Sequence, residues 1–193
     1  KIVKTETIDN ILEIGTDLIL KNGYNNVGLN KILKTANIPK GSFYYYFNSK
    51  EDFGIQVIKF YSENSLIFLN GYLTDASKEP KERIISFFED MQKVYVDKEF
   101  KEGCLLGNSS LELSDMSEAF SNSVANELNK WQDCFELCIK EGQDANTIKK
   151  EESAKDMSDF ILTTWEGSLL RMKSAKNTDS ISTFIKFLKK YIL

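Results

Sequence analysis

Apolar residues recur at three- and four-residue spacing over most of the chain, with no sustained period-two alternation, and this pattern predicts an all-α protein. A first helix over about residues 5–21 carries Ile8, Ile11, Leu12, Leu18 and Ile19 on its apolar stripe, and Asn22-Gly23 stops it. Two short segments follow, at about 28–35 and 39–46. Asn48 or Ser49 then caps a long helix to about residue 74, with Glu51 and Asp52 in its first turn. Further helices are expected over about 79–97, opened by Pro80, over 104–112, and from an N-cap at Asp115 to Gly142. A helix bearing Met157, Phe160, Ile161, Trp165 and Leu169, and a last one over about 178–193, complete the chain. Short helices followed by long ones place a domain boundary between 1–48 and 49–193. The last two apolar stripes are broad enough to pack on their own domain and on a partner helix as well.

Residues 31–47, KILKTANIPKGSFYYYF, read as two short helices joined by a tight turn. Ile32 and Leu33 pack inward, Ala36 lets the helices approach, Asn37 takes the left-handed conformation of the turn, and Pro39 starts the second helix. That helix turns Phe43 and Phe47 to the core and leaves Lys40, Ser42, Tyr44 and Tyr45 outside. An ammonium, a hydroxyl and backbone N–H groups suit phosphate, and tyrosine adds a flat apolar face for a sugar or a thymine methyl. Gly41 permits close backbone approach to a duplex.

Charge sharpens this picture. The net charge of −4 conceals a basic end: residues 1–50 hold seven lysines against Glu6, Asp9, Glu13 and Asp17, whereas the remainder holds 18 basic and 25 acidic residues. No carboxylate lies between Asp17 and Glu51. A basic end on an acidic body fits a polyanionic partner. The chain has no histidine, which removes the Ser-His-Asp and Cys-His nucleophile systems and most zinc and non-haem iron sites. Its three cysteines show no CxxC spacing and no disulfide framework, so no metal centre and no cofactor are expected. The paired carboxylates Glu112 with Asp115, and Glu151 with Glu152, are the material an all-helical enzyme would have to use. Both pairs read as ordinary helix-start acids, and no catalytic residues are assigned. No apolar run is long enough to span a bilayer, and the expected location is the cytoplasm.

Gly23-Tyr24, Ile32, Ala36, Asn37-Ile38, Lys40-Gly41-Ser42, Tyr44, Tyr46-Phe47 and Ser49-Lys50-Glu51 resemble, in order and register, the DNA-binding signature of the TetR family. The resemblance implies an N-terminal three-helix helix-turn-helix domain and a larger helical domain for ligand binding and dimerisation. It implies a homodimeric repressor of a palindromic operator in double-stranded DNA, released by a small-molecule effector. It assigns DNA contacts to Lys40, Gly41, Ser42, Tyr44, Tyr45 and Lys50, the last gripping a phosphate, and structural roles to Tyr24 and Phe47. Two departures stand out. Val27-Gly28 replaces the usual hydroxyl residues, so the usual cap and phosphate contact of the second helix is either absent or supplied by Asn26 or Asn30. The recognition segment also lacks arginine, glutamine and asparagine, so bidentate base reading gives way to lysine, tyrosine and shape.

Residues 103–115, GCLLGNSSLELSD, resemble a segment of one subgroup of such regulators, some of which sense electrophiles or oxidants through cysteine. Cys104, beside Gly103 at an expected helix start, is the redox candidate, with packing as a small buried hydrophobe the alternative. Cys134 and Cys138, one turn apart on an apolar face, read as core. The resemblance further implies an effector cavity in the larger domain. Its candidate lining is Phe88, Tyr95, Trp131, Phe135 and Trp165, with Gln92, Asn108, Glu112 or Glu166 as polar anchors, suited to a hydrophobic or aromatic small molecule.

Overall fold

A computed structural model describes the backbone of residues 2–193 and the side chains from Thr7 onward; Lys1 and the side chains of Lys4 and Glu6, which enter the charge balance above, lie outside the described residues. Among the described residues every regular element is helical: α1 (Ile2–Asn22), α2 (Leu29–Ala36), α3 (Lys40–Tyr46), α4 (Lys50–Leu73), α5 (Pro80–Asp97), α6 (Leu105–Leu113), α7 (Glu118–Asp144), α8 (Ala154–Ala175) and α9 (Asp179–Phe187), which runs into a π-helical turn at Leu188–Ile192. The all-α reading holds, and the short α2 and α3 precede the long α4 as expected; α1, with 21 residues, is itself long, and α6 and α9, with 9 each, are short. No helix of the described residues is long and apolar enough to cross a membrane.

The chain groups into two compact units, one of residues 1–64 with 104–127, the other of 65–103 with 128–193. The first therefore holds all of the expected 1–48 segment together with the start of α4, α6 and the start of α7. Its core is aromatic where α3 meets α4. Phe43, Phe47 and Phe53 are fully buried, with ring centres 5.0 Å apart for Phe43–Phe47, 5.5 Å for Phe43–Phe53 and 5.1 Å for Phe47–Phe53. Gly15 of α1 is a close-approach position, since a Cβ there would come within 2.4 Å of the Phe53 ring.

The second unit is organised by a continuous buried aromatic layer. Phe88 of α5 stacks on Phe135 of α7 at 5.4 Å with planes 6° apart, lies 4.8 Å from Trp165 of α8, and meets Phe184 of α9 edge-on at 4.9 Å. Arg83, only 6% exposed, fastens the same unit by donating to Leu73 O, Lys78 O and the Glu141 carboxylate. A buried guanidinium is tolerable because its donors meet oxygen acceptors.

One local expectation needs correction, and one open alternative is decided. Asp115 does not cap α7: Ser117 does, its hydroxyl accepting from Phe120 N at 3.2 Å while residues 114–116 form a turn. Of the alternatives for α2, the side-chain cap is absent: neither Asn26 nor Asn30 supplies it. The N-cap is Gly28, without a side-chain bond, and Asn26 donates instead to Asn22 O; the fully buried Val27 fixes this entry by packing.

Phe88 touches three other helices, so Phe88→Ala should cost about 3–5 kcal/mol of stability, from lost transfer energy and a residual cavity. Urea unfolding followed by circular dichroism reads the shift.

Candidate nucleic-acid interface

Residues 29–46 form two helices around one left-handed residue. Asn37 ends α2 at φ 51°, ψ 45°, and the N–H groups of Asn37 and Ile38 close the α2 C-terminus on Lys34 O and Leu33 O. Pro39 then sits in extended conformation as the N-cap of α3. α3 has only seven residues, too few to be stable in isolation. It is held by Phe43 on one side, and the rest of its surface is presented largely to solvent. Tyr44 is 50% exposed and Tyr45 68% exposed; Lys40 and Gly41 are exposed and Ser42 is half-buried. No heavy atom would meet a Cβ at Gly41, so that backbone is open. Phe43 and Phe47 face inward as expected.

The start of α4 is fixed by a reciprocal cap. Ser49 Oγ accepts from Asp52 N at 2.9 Å, and the Asp52 carboxylate accepts from Asn48 N at 2.8 Å. Of the two capping candidates, Ser49 supplies the side chain. Lys50 in the first turn is half-buried. Its Nζ donates to Tyr24 O at 3.1 Å and lies 4.3 Å from the Tyr24 ring centre, a cation–π contact. Burial pulls the Lys50 pKa below its ordinary value, against the pull of the Glu112 charge in the other direction. Lys50 thus tethers the turn after α1, a contact that its place in the sequence signature does not reveal.

Tyr24 is the hub of that turn. It is buried, its ring meets Phe120 edge-on at 5.1 Å, and a Cβ at Gly54 would come within 2.6 Å of it. Burial, reinforced by Glu51 and Glu112, pushes its phenol up to about 12. The Glu112 carboxylate accepts from Tyr24 N at 3.0 Å and Asn25 N at 2.8 Å. The reading of Glu112 as an effector anchor is therefore replaced: both its oxygens are engaged on this turn, and no local spacing could have shown it, because the partners are 87 and 88 residues away.

The remaining candidates divide between the units. Phe88, Tyr95, Phe135 and Trp165 come together in the aromatic layer of the second unit, with Tyr95 6.1 Å from Trp165. Trp131 is buried in that unit, and Gln92 is engaged, donating to Ser182 Oγ at 2.7 Å. Glu166 is half-buried on α8, whereas Asn108, half-buried on α6, belongs to the first unit. Cys104 is the N-cap of α6, 3% exposed. Cys138 is buried and Cys134 partly so; burial raises both thiols, Cys138 to about 12, as fits core positions. Glu151 and Glu152 are exposed in a bend before α8. Among the described residues no group of three or more metal-ligating side chains comes together.

Comparison with known proteins bears on the same regions. Residues 11–55 match the family model for bacterial regulatory proteins of the tetR family, and residues 80–188 match that of the tetracyclin repressor-like C-terminal domain. The HTH-type transcriptional repressor DhaR of Mycobacterium sp. (strain GP1) is 32% identical over 94% of this chain and 90% of its own. The transcriptional regulator AcuR of Cereibacter sphaeroides is 28% identical over 91% of this chain and 80% of its own. The crystal structure of a regulatory protein TetR from Rhodobacter sphaeroides superposes with a TM-score of 0.88, at 27% identity, over 95% of this chain and 97% of the other.

The buried Tyr24 phenol gives a pH test. A folded-state pKa near 12 against an ordinary 10 means that the native state holds its proton more tightly. This stabilisation is complete below about pH 10 and is lost as pH rises towards 12. Unfolding free energy should therefore fall more steeply over that window in the wild type than in Tyr24→Phe, as read by urea titrations at stepped pH.

Proposed function

Since the chain belongs to the TetR family of bacterial transcriptional regulators, we propose that it is a repressor that binds a near-palindromic operator as a homodimer and leaves it when an effector acts on the C-terminal region. The observation that carries this reading is α3: a helix anchored by one buried phenylalanine, with Lys40, Tyr44 and Tyr45 exposed together and Gly41 unobstructed. Lys40, Ser42 and the two tyrosines contact phosphates, sugars and thymine methyls in the major groove. Lys50, with one donor on Tyr24 O, keeps two N–H groups for a phosphate. Residues 1–48 are the DNA-binding domain of this reading and 49–193 its ligand-binding and dimerisation domain. Its place of action is the cytoplasm, where bacterial DNA lies.

Dimerisation is proposed through α8, α9 and the terminal π-helical turn. Phe160, Leu170, Phe187 and Tyr191 are all about half exposed there, beside a groove of about 520 Å³ lined by residues of the same elements. Such apolar exposure on a surface marks a protein contact. Two chains paired in this way place their recognition helices in successive major grooves, about 34 Å apart.

Release is assigned to a small hydrophobic or aromatic effector received among Phe88, Tyr95, Trp131, Phe135 and Trp165, with modification of the Cys104 thiol as a second route. Cys104, which opens α6, is 3% exposed, so this route requires a movement that uncovers its thiol.

Replacing Lys40 and Tyr44 together by alanine should abolish gel retention of an operator fragment selected from random duplex DNA; unchanged retention would count against the assignment. The wild type should sediment as a dimer at micromolar concentration, and Leu170→Lys with Phe187→Lys as a monomer.

A further inference from the structure

Two successive backbone N–H groups, those of Tyr24 and Asn25, follow the end of α1 and lie beyond its helical ladder. Glu112 of α6 meets both, one with each carboxylate oxygen. Gly23 makes this approach feasible twice over. Its φ of +77° is one that side-chain-bearing residues rarely adopt, and a Cβ there would lie 3.2 Å from both Glu112 oxygens. The carbonyl of the same residue, Tyr24, accepts from Lys50 Nζ at 3.1 Å and from Val27 N at 3.2 Å. One peptide turn is therefore held from α6 through its N–H groups and from α4 through its carbonyl, and it leads through the buried Val27 directly into α2. Ser117, which caps α7, adds a hydrogen bond to Glu51 in the first turn of α4.

We infer that Glu112 is a positioning residue for DNA binding: its carboxylate fixes the turn between α1 and α2, so that the place of α6 sets the place of the helix-turn-helix. The inference rests on the DNA-binding reading above and adds to it a residue that touches no DNA. A carboxylate is required because both facing groups are donors. A glutamine of the same shape offers only one accepting oxygen and turns its NH2 towards the other N–H. Losing a charge-assisted hydrogen bond and opposing two donors is large enough to loosen the turn.

The sign of the effect on DNA separates this role from simple electrostatics. Glu112 is an anion in a unit that binds a polyanion, so neutralising it by charge alone would tighten binding. Loss of positioning weakens it. The phosphate contacts themselves are untouched, so the dependence of affinity on salt keeps its slope.

The test uses the full-length chain and a duplex selected by the wild type from random DNA. Glu112→Gln should bind that duplex about tenfold more weakly per folded molecule, with an unchanged salt slope. Amide exchange should quicken at Tyr24 and Asn25 while Phe43 keeps its protection. Glu112→Asp retains the charge but is one methylene too short to span both amides, and it should fall between the two; it also serves if the glutamine variant does not fold. Binding by either folded variant equal to or tighter than wild type overturns the inference. A wild type that selects no duplex overturns the DNA-binding reading, and the inference with it. A wild type that binds alongside variants that bind equally overturns the inference alone.

Discussion

The seat of Phe43 among Phe47 and Phe53 is the contact on which the rest of the DNA-binding unit depends. A seven-residue helix has too few internal hydrogen bonds to offset the cost of nucleating it. α3 persists because one of its residues is wholly buried against two rings that belong to its C-cap and to α4. Burying residue 43 turns residues 41 and 45, about 160° round the helix from it, outward; Tyr44 lies on the flank about 100° away and Lys40 is exposed at the helix start. The exposure of Tyr45 is thus a consequence of the packing on the other side of the helix.

A second constraint acts on the turn that precedes α2. Its polar backbone groups are satisfied by side chains remote in sequence, Glu112 from α6 and Lys50 from α4. A turn closed in this way takes its position from those helices rather than from its own residues. Within this unit the turn before α2 is thus tied to α6 and α4 by side chains remote in sequence.

Much of this was legible in the chain itself. The left-handed Asn37, the proline before α3, the inward Phe43 and Phe47 and the short α2 and α3 ahead of the long α4 all follow from local chemistry and periodicity, and the structure has them. The corrections fall where tertiary partners decide. Ser117 rather than Asp115 caps α7, because the chain turns through residues 114–116 before the helix begins. Glu112 resembled a pocket anchor or half of a carboxylate pair until the turn it holds came into view. Lys50 stood in the sequence as a phosphate ligand, and its tether to Tyr24 is visible only once α1 and α4 are placed together. In the second unit, Gln92 reaches Ser182, 90 residues away, which no spacing rule anticipates.

The central claim is that α3 is the surface read against DNA. A structure of the full-length protein bound to its selected duplex tests it most directly. The account predicts α3 lying in the major groove, with the Lys40, Tyr44 and Tyr45 side chains within contact distance of phosphates or base edges and a second copy about one helical turn away. Duplex DNA bound elsewhere on the protein, with α3 facing solvent, would contradict it.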